Sequence, residues 1–579
     1  MNVSVDNGIS LVPHAMPMMN TEQYLTMRRE AFANDKLTPN NILNNKAYAP
    51  DLTIFDQNRY ADWRKYFIGN TARHVNTNAA ISGGSENTQF RVAGGFNQDT
   101  YIYPGEYKDN RISFSSNIHH NSNDKKITID LTTSYSYDIN NASASVNMLT
   151  AFTLAPNYPN PVDDNGNLIW NYKGVPLTGS YAAVNPYTSF KRAYEVSNTS
   201  LNANLILSYQ LFKGLIFRTS TGYGSFGTNE FSSTPISSQN PAYNPTATAR
   251  FGTRNINTWI IEPQLEYKNS FKKALYSFLA GGTFQQNHDY STQTDGSGYI
   301  NDELSHSISG SATQTSSDAS ILYKYTAVFA RFNIRWDGKY ILDINGRRDG
   351  SSRFGPGKQF GNFGSLGAGW IFSEESFIKD RLPVFSYGKL RGSYGVTGSD
   401  AIGDYNYISR YAPTYFNYGG TLGYLPQNLA NDQFGWATTK KLEFGLELGF
   451  LEDRFILSSS WYRNRSGNQL IYYTLPSQTG FGGVVENSPA LVQNTGWEFS
   501  LQAKLVNQKS FSWNTSFNIT IPKNVLLSFP NLSTSSYSTT YVIGGSPFQI
   551  LGYKSAGVNP TTGLFQFYDA NGMQTSTPN

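Results

Sequence analysis

The stretch Leu201-Asn-Ala-Asn-Leu-Ile-Leu-Ser-Tyr-Gln-Leu211 places an apolar side chain at every second position, with mostly polar side chains between them. Successive side chains of an extended strand point to opposite faces, so this pattern gives one apolar face and one polar face. The same two-residue period returns at 127–137, 259–267, 442–450 and 497–505. Strands that are apolar on one side only predict an antiparallel sheet with one wet face.

The connections between these strands alternate between short and long. Short turns are predicted at 84–87, 121–125, 212–214, 268–273, 337–338, 451–453 and 506–510, with a further turn within 373–386. Long segments rich in Asn, Ser, Thr, Gly and Pro occupy 10–75, 139–197, 229–253, 286–319, 398–437, 466–493 and 522–546. Strands of about ten residues with tight turns at one end and long loops at the other are typical of an outer-membrane β-barrel.

The composition excludes several other classes of protein. Charged residues make up 15% of the 579 residues, against roughly 25% in soluble domains, and aromatic residues make up another 15%. A disordered charged chain is therefore excluded. The net charge of +4 is spread along the chain, which gives no basic stripe for nucleic acid. No apolar run approaches the roughly 18 residues of a membrane helix, and the absence of cysteine excludes disulfides and thiolate chemistry.

The turns and the opening segment 2–9 together predict about 17 strands, in one β-barrel domain over residues 1–579. Single-chain bacterial barrels have even strand numbers, so an odd number predicts an incomplete barrel. A soluble β-sandwich or propeller is the alternative fold. Sandwich strands are usually shorter, and no repeat of a fixed 40–50-residue period supports a propeller. We therefore expect an all-β, transmembrane antiparallel barrel with long extracellular loops and short periplasmic turns.

Several long segments carry a family resemblance. The strongest lies between Val328 and Gly355, where Asp337-Gly338 is followed by Asp349-Gly-Ser-Ser-Arg-Phe-Gly355. Further segments follow in order at 363–370, 374–377, 388–405, 436–441, 475–481, 494–498, 559–563 and 569–572. Together they resemble the SusC/RagA-type TonB-dependent outer-membrane transporters over nearly the whole chain.

The resemblance implies uptake of large nutrients, oligosaccharides or sometimes peptides, across the outer membrane of a Gram-negative, Bacteroidota-like cell. It also implies a SusD-like surface lipoprotein as a lid, and energy from the TonB complex pulling on an N-terminal plug. Since no plug or signal peptide is recognisable, and about 17 of the family's 22 strands are predicted, we expect a barrel fragment that does not transport on its own. A passive porin-like pore, a surface-binding barrel and a soluble carbohydrate-binding β protein remain alternatives.

Motifs for catalysis are weak, and we expect no enzyme. Gly222-Tyr-Gly-Ser-Phe-Gly227 matches a dinucleotide-binding pattern, but it is expected to end a strand at the barrel rim and is not followed by a helix. His119 and His120 are adjacent in a predicted strand, so they face opposite ways and cannot bind one ion together. No Ser/His/Asp arrangement with a nucleophile elbow is present.

A cofactor is not expected either. Asp163-Asp-Asn-Gly-Asn167 has the oxygen-rich beginning of a calcium loop. The Gly that should follow is replaced by Leu168, and the acidic residue that should close the loop is absent. A plain Asn-Gly turn is the favoured interpretation, with calcium in an extracellular loop as the alternative.

Two groups of residues are candidates for ligand contact. Arg347, Arg348, Asp349 and Arg353 either line the barrel interior, where they would contact a plug or an anionic ligand, or form an ion-pair cluster at the rim that fixes a tight loop; the rim cluster is favoured. Aromatic residues of the long loops suit the faces of sugar rings, a protein lid or the membrane interface. The substrate-binding candidates among them are Trp170, Tyr172, Tyr181, Tyr415 and Tyr418.

The first long loop is expected to contain a helix. Asn20-Thr-Glu-Gln23 has the spacing of a capping box, in which the side chains of the first and fourth residues bond each other's backbone. The residues from there to about Ala33 have helical character, which predicts local structure inside the loop.

Overall fold

The computed structural model of the protein describes residues 1–14, 16–43, 45–142, 148–177, 185–382, 384–414 and 418–578. Within them 17 strands form one antiparallel sheet, which confirms the predicted fold class and strand number. The strands are β1 (Asn2–Ser10), β2 (Ala72–Gly84), β3 (Thr88–Thr100), β4 (Lys108–Asn121), β5 (Ile127–Asn140), β6 (Ala193–Phe212), β7 (Leu215–Thr234), β8 (Ala247–Phe271), β9 (Ala274–Tyr299), β10 (Thr313–Trp336), β11 (Tyr340–Ser351), β12 (Phe360–Trp370), β13 (Phe385–Ser399), β14 (Ala437–Phe450), β15 (Phe455–Gly467), β16 (Leu491–Asn507) and β17 (Ser512–Ser528).

The register of the strands separates an apolar face from a polar face, as the alternation predicts. Leu131 of β5 pairs with Leu205 of β6, and the next pair is Thr132 with Asn204. Leu205 is 40% exposed although it lies in mid-strand. A row of exposed leucines on one face and of amides and hydroxyls on the other is the surface that a strand between lipid and water requires.

The predicted short turns are all present. They connect the strands at 85–87, 122–126, 213–214, 272–273, 337–339, 451–454 and 508–511. The connection predicted within 373–386 also joins two strands, β12 and β13, and contains a 3₁₀ turn (Phe372–Glu374) and a short helix (Ser376–Lys379). Asp337 and Gly338 both adopt positive φ angles, 51° and 69°, which is the backbone of a type I′ hairpin.

Two of the predicted long loops are wrong in extent. The segments 229–253 and 286–319 consist largely of strand, and only 235–246 and 300–312 lie outside β7–β10. β9 has 26 residues, which corresponds to a length of about 86 Å at about 3.3 Å per residue. That is roughly three times the thickness of a bilayer's hydrocarbon core.

The extra length has a physical reason. Beyond the lipid both faces of a strand meet water, so polar residues on both faces conceal the two-residue period. Cross-strand bonds between polar side chains hold the segment instead. Thr253 Oγ1 lies 2.7 Å from Thr292 Oγ1, and the Arg254 guanidinium donates twice to Asp289, with N···O distances of 3.0 and 2.6 Å.

The loops contain short helices, α1 (Thr21–Asn34), α2 (Pro50–Thr53), α3 (Trp63–Ile68), α4 (Thr150–Thr153) and α5 (Ser376–Lys379). The predicted capping box is present at α1, where Gln23 N donates to Asn20 Oδ1 at 2.9 Å and Asn20 N donates to Gln23 Oε1 at 3.0 Å. In the described part of the chain, no helix combines the length and the hydropathy needed to cross a bilayer.

The chain divides into two compact units. The first unit comprises Met1–Tyr209, Thr219–Ile261 and Gln285–Leu322, and the second comprises Gln210–Arg218, Glu262–Phe284 and Tyr323–Asn579. Each unit has an apolar core within its loops. The core of the first unit is built around Trp63 and Tyr158, and that of the second around Phe354 and Phe434.

The glycines of 222–227 lie inside β7, which continues to Thr234, so their expected position at a strand end is wrong. Side chains of the neighbouring strands lie over them. A Cβ atom on Gly222 would meet Ile260 Cγ2 at 2.8 Å, and one on Gly227 would meet Thr199 Oγ1 at 2.7 Å. Close approach between strands therefore explains these glycines, and the helix that a dinucleotide site needs does not follow them.

Candidate functional site

A cavity of about 1320 Å³ lies on the polar face of the second unit. It is larger than the 300–1,000 Å³ that small ligands usually occupy. Residues of ten strands, β8 to β17, contribute to its wall. Among the lining residues are Arg331, Asp343, Arg347, Asp349, Glu443 and Asn464. We call this space the large cavity.

Arg391 of β13 is held between two glutamates of β14. It pairs in register with Gly445, so that Glu443 and Glu447 stand two residues to either side on the same face. Arg391 Nε lies 3.2 Å from Glu447 Oε1, Nη1 contacts Glu443 Oε1, and Nη2 donates to Ser460 Oγ at 2.9 Å. A Cβ atom at residue 445 would lie 2.6 Å from Arg391 Nε, so the glycine provides the space for the guanidinium.

This ion-pair group is not predicted from the sequence. The alternation identifies Glu443, Gly445 and Glu447 only as members of the polar face. The ion-pair group forms only because the strand pairing brings Arg391 opposite Gly445. The usable signal is the spacing Glu-x-Gly-x-Glu, in which a missing side chain separates two acids on one face.

A second ion pair lies on the wall of the large cavity. Arg331 Nε donates to Asp343 Oδ2 at 2.9 Å, and Asn333 Nδ2 donates to the same oxygen at 3.1 Å. Asn345 donates to the other carboxylate oxygen. The carboxylate is therefore fully used within the wall, so this part of the cavity presents paired rather than free charge.

The predicted cluster at Arg347 to Arg353 is divided between two faces of the sheet. Arg347 Nε donates to Asp349 Oδ1 at 2.6 Å and its Nη2 donates to Tyr325 OH at 2.7 Å, and all three residues line the large cavity. Arg348 does not line that cavity; it donates to Asn362 Oδ1 at 3.0 Å and lies over the Phe360 ring. Adjacent residues of a strand point to opposite faces, so the four residues do not form one group.

Arg353 connects two loops of the second unit. Its Nε donates to Asp404 Oδ1 at 3.2 Å and its Nη1 to the backbone oxygen of Asp400 at 3.1 Å. The Asp400 carboxylate in turn accepts hydrogen bonds from Tyr323 OH at 2.8 Å and Ser351 Oγ at 2.7 Å. These contacts fasten the loop that follows β13 to the end of β11. This is the arrangement expected for the rim-cluster interpretation at this one arginine.

Aromatic packing reinforces the same loop. Phe354 and Phe434 are fully buried, with ring centroids 5.8 Å apart in an edge-to-face arrangement. Trp436 packs against Phe354 at 5.2 Å and donates its indole N–H to the backbone oxygen of Gln359. The loops at this end of the second unit therefore have a small core of their own.

Two of the predicted sugar-contacting aromatics are packed within the first unit. Trp170 is buried, and Tyr172 meets the Phe55 ring edge-on at 6.0 Å. Trp63 donates its indole N–H to the backbone oxygen of Ala155 at 2.8 Å, which joins the loops 11–71 and 141–192. Tyr181 lies outside the described residues. As ligand contacts these residues stay a prediction.

The remaining aromatic candidates belong to the loop after β13. Tyr418 is 93% exposed, and Tyr415 lies outside the described residues. Nearby, Tyr411–Pro413 and Tyr424–Pro426 pair as a small hairpin with exposed Tyr411 and Tyr424. A ring that is open to solvent on both faces is available to a partner, but its role here stays a prediction.

A buried carboxylate stabilises the loop core of the first unit. The Asp51 side chain is fully buried and accepts hydrogen bonds from Arg28 Nε at 2.8 Å and from Tyr24 OH at 3.0 Å. Burial, together with the nearby Asp51 charge, raises the pKa of the Tyr24 hydroxyl well above its usual range. Asn157 Nδ2 donates to the Asp51 backbone oxygen, which links the loop 141–192 to α2.

The carboxylate of Asp163 is used within its own turn. It accepts hydrogen bonds from the backbone N–H groups of Asn165 and Asn167, at 2.9 and 2.7 Å, and from the Asn167 side chain at 3.1 Å. The bonds from Asn167 hold the pKa of the Asp163 carboxyl below its usual value. This is the geometry of an Asx turn, and the choice between a plain turn and a calcium loop stays a prediction.

The two adjacent histidines of β4 have different partners. His119 Nδ1 lies 2.5 Å from Asp130 Oδ1, whereas His120 Nδ1 lies 2.8 Å from Thr88 Oγ1. As predicted, the two adjacent rings are on opposite faces of β4. Among the residues that the structure describes, no three His, Asp or Glu side chains are grouped so that they could hold a metal ion.

Comparison with known proteins places the chain in a family. The family model described as "TonB dependent receptor-like, beta-barrel" matches residues 137–577. The chain belongs to the TonB-dependent receptor-like β-barrel family. The members similar to it are outer-membrane proteins of the SusC/RagA type, which confirms the resemblance and the outer-membrane location, and overturns a soluble carbohydrate-binding β protein.

The similar curated proteins are much longer than the regions that they share with this chain. The TonB-dependent receptor P39 of Formosa agariphila is 29% identical over 521 residues, which cover 85% of this chain and 46% of that protein. The TonB-dependent receptor SusC of Bacteroides thetaiotaomicron is 32% identical over 215 residues, which cover 36% of this chain and 21% of that protein. The chain thus spans about half the length of the curated receptors that it matches over most of its own length.

Solved structures agree with the fold. The structure of the RagAB peptide transporter superposes with a TM-score of 0.83 over 100% of this chain and 68% of that chain, at 21% identity. The "closed-closed" state of the RagAB peptide importer gives a TM-score of 0.85 at 22% identity, over 100% of this chain and 67% of that one. At this identity the likeness establishes the barrel fold alone.

Proposed function

We propose that this chain forms the barrel of an outer-membrane importer that takes up oligosaccharides or peptides. In this proposal the TonB complex supplies the energy, and a SusD-like surface lipoprotein covers the loops as a lid. The observation that carries the proposal is the family match over 137–577, on a sheet whose polar face holds a cavity of about 1320 Å³. The name of the RagAB peptide importer supports a peptide ligand. The name SusC supports the family but specifies no ligand, so oligosaccharides and peptides both stay in the proposal.

The cavity wall supports selection by loops, lid and plug rather than by width. A space of this size admits many solutes, so diameter alone gives little discrimination. Its ion pairs join Arg331 to Asp343 and Arg391 to two glutamates. These charges therefore already have partners within the chain. The loops that pack around Phe354 form a fixed surface against which a lid can bind.

The experiment compares growth of the strain that carries the gene with growth of its deletion mutant, on single oligosaccharides or on defined peptides as the carbon source. We expect the mutant to lose growth on one ligand class and the complete gene to restore it. Depletion of TonB should abolish the same growth. Continued uptake after TonB depletion would identify a passive pore and contradict the proposal.

A second measurement tests the lid. The full-length protein, affinity-tagged and extracted in mild detergent, should retain a SusD-like surface lipoprotein, identified by mass spectrometry. As a matched pair, Phe354→Ala should weaken this retention because the loop core is lost, whereas Tyr243→Ala, at an exposed tyrosine of the first unit, should not. Equal retention of the lipoprotein in both variants would contradict a lid platform at this loop core.

A further inference from the structure

A cavity of about 440 Å³ lies where the long-loop ends of β6 to β10 meet, within the first unit. We call it the Arg192 cavity. Arg192 stands immediately before β6 and lines the cavity together with Arg250 and Asp295. Hydroxyl groups of Ser232 and Thr248 also line it. Its volume lies within the 300–1,000 Å³ typical of ligand sites.

Among the residues that the structure describes, Arg192 has no acidic partner. Its Nε atom is buried and makes no hydrogen bond, and in the part of the chain that the structure describes no carboxylate lies within 4.0 Å of the group. Every Asp and Glu side chain of the sequence lies among the described residues, and none of these side chains completes the pair. Leaving a buried donor of a charged group without a partner is costly, and such a group is usually paired.

The other charges of the cavity already have partners. Arg250 Nε donates to Asp295 Oδ1 at 2.7 Å, and Gln293 Nε2 donates to Asp295 Oδ2 at 2.8 Å. Glu230, on the same face of β7, lines the neighbouring cavity with Arg254, and its charge also acts on Arg250 and Tyr194 of the Arg192 cavity. The Arg250–Asp295 pair is neutral as a whole, so the cavity wall keeps one net positive charge, that of Arg192.

The hydroxyl groups of Ser232 and Thr248 are also free to bind a ligand. Among the described residues, Ser232 Oγ and Thr248 Oγ1 take part in no hydrogen bond within the chain. A guanidinium presents N–H donors in a planar fork that matches a carboxylate, and hydroxyl groups can donate to the same oxygens. One net positive charge matches one singly charged oxyanion.

We propose that the Arg192 cavity binds a carboxylate group of the ligand, so that the protein prefers acid-bearing ligands over neutral ones of the same size. The carboxylate belongs to a uronic acid of a glycan or to an acidic peptide. The inference rests on the proposed uptake function because it assigns the group to the transported ligand. The proposed partner of Arg192 is therefore a carboxylate of the ligand and not an acidic residue of a lid or a plug.

The test measures equilibrium binding to the full-length protein in detergent, with trigalacturonate, triglutamate and neutral maltotriose as probes. We expect one of the two acidic probes to bind, and maltotriose to bind at least ten-fold more weakly. Arg192→Gln should weaken the acidic probe about ten-fold to one-hundred-fold, the range for a lost charge-assisted hydrogen bond, and Arg192→Lys should lie between. Lys191→Gln, at a neighbouring cation that does not line the cavity, is the matched control.

Trigalacturonate and triglutamate distinguish a glycan acid from a peptide acid. The inference would be overturned if Arg192→Gln left the affinity for the acidic probe unchanged. It would also be overturned if Lys191→Gln lowered that affinity equally. An Arg192→Gln variant that binds acids normally but loses a copurifying lipoprotein would overturn it as well, because the partner of Arg192 would then be the lid. Migration of each variant as the compact barrel on unheated gels verifies folding. Since binding is measured without transport, acid binding with no TonB-dependent uptake would count against the proposed function alone.

Discussion

At the scale of single residues, the ion-pair group around Arg391 in the second unit depends on the absence of a side chain at Gly445. Gly445 lies opposite Arg391, and its missing side chain lets the guanidinium reach glutamates on both sides. An isolated ion pair that is exposed to water on a cavity wall contributes little to the stability of the fold. A network that joins one arginine to two glutamates and Ser460 fixes the positions of all four groups.

Gly445→Ala should therefore destabilise the protein by about 0.2–1 kcal/mol, because the new Cβ atom displaces the Arg391 guanidinium from its glutamates. The control is Gly346→Ala, at a cavity-lining glycine whose Cβ atom would have nothing within 4 Å. Thermal unfolding in detergent, followed by loss of the compact band on unheated gels, measures the difference. Equal unfolding temperatures for the two variants would refute this role of Gly445.

Glu375, in the connection between β12 and β13, gives a prediction about pH. Hydrogen bonds from Tyr340 OH, Lys339 Nζ and Trp370 Nε1 lower the pKa of its carboxyl to about 2. A carboxyl pKa that is depressed by folding stabilises the protein above the unfolded value of about 4.3, and this contribution disappears as the pH falls towards 2. Glu375→Gln should thus lower the unfolding temperature at pH 7, and the difference from the wild type should shrink below about pH 4. A difference that is independent of pH would contradict this account.

At the scale of elements, sequence patterns identify what lies in lipid better than what lies beyond it. The apolar period and the turn residues predict all the short turns and the strand number. They miss the outer ends of β7 to β10, where residues such as Arg254 and Asp289 bond across strands and both faces are wet. They also miss the group around Arg391, because the register that assembles it depends on strand pairing across the chain.

The loops 11–71 and 141–192 form an element that should open without unfolding the sheet. Trp63→Ala should cost about 3–5 kcal/mol, since it removes a buried indole and its hydrogen bond to Ala155. The nearby Tyr60→Ala, at a ring that is 53% exposed, is the control. Limited proteolysis should cut the loops of the Trp63 variant faster, while the compact band on unheated gels persists. Loss of that band would mean that the loops and the sheet unfold together.

At the scale of the whole molecule, one sheet separates two environments. The paired strands β5 and β6 show leucines and tyrosines on one face, and amides and hydroxyls on the other. This separation is a consequence of the two-residue period, so a single step along a strand changes a side chain's surroundings from lipid to water. Two adjacent positions in β6 can therefore test the orientation of the sheet in the membrane.

Leu205→Arg should impair insertion into the outer membrane, because a charge on the lipid face costs about 2–4 kcal/mol near the bilayer midplane. Asn204→Arg places the same side chain one residue earlier, on the polar face beside Thr132, and should insert like the wild type. Fractionation of cells and folding into lipid vesicles measure both variants. If Asn204→Arg failed while Leu205→Arg inserted, the polar face would be the one that meets lipid, and the large cavity and the Arg192 cavity would have no route to an aqueous ligand.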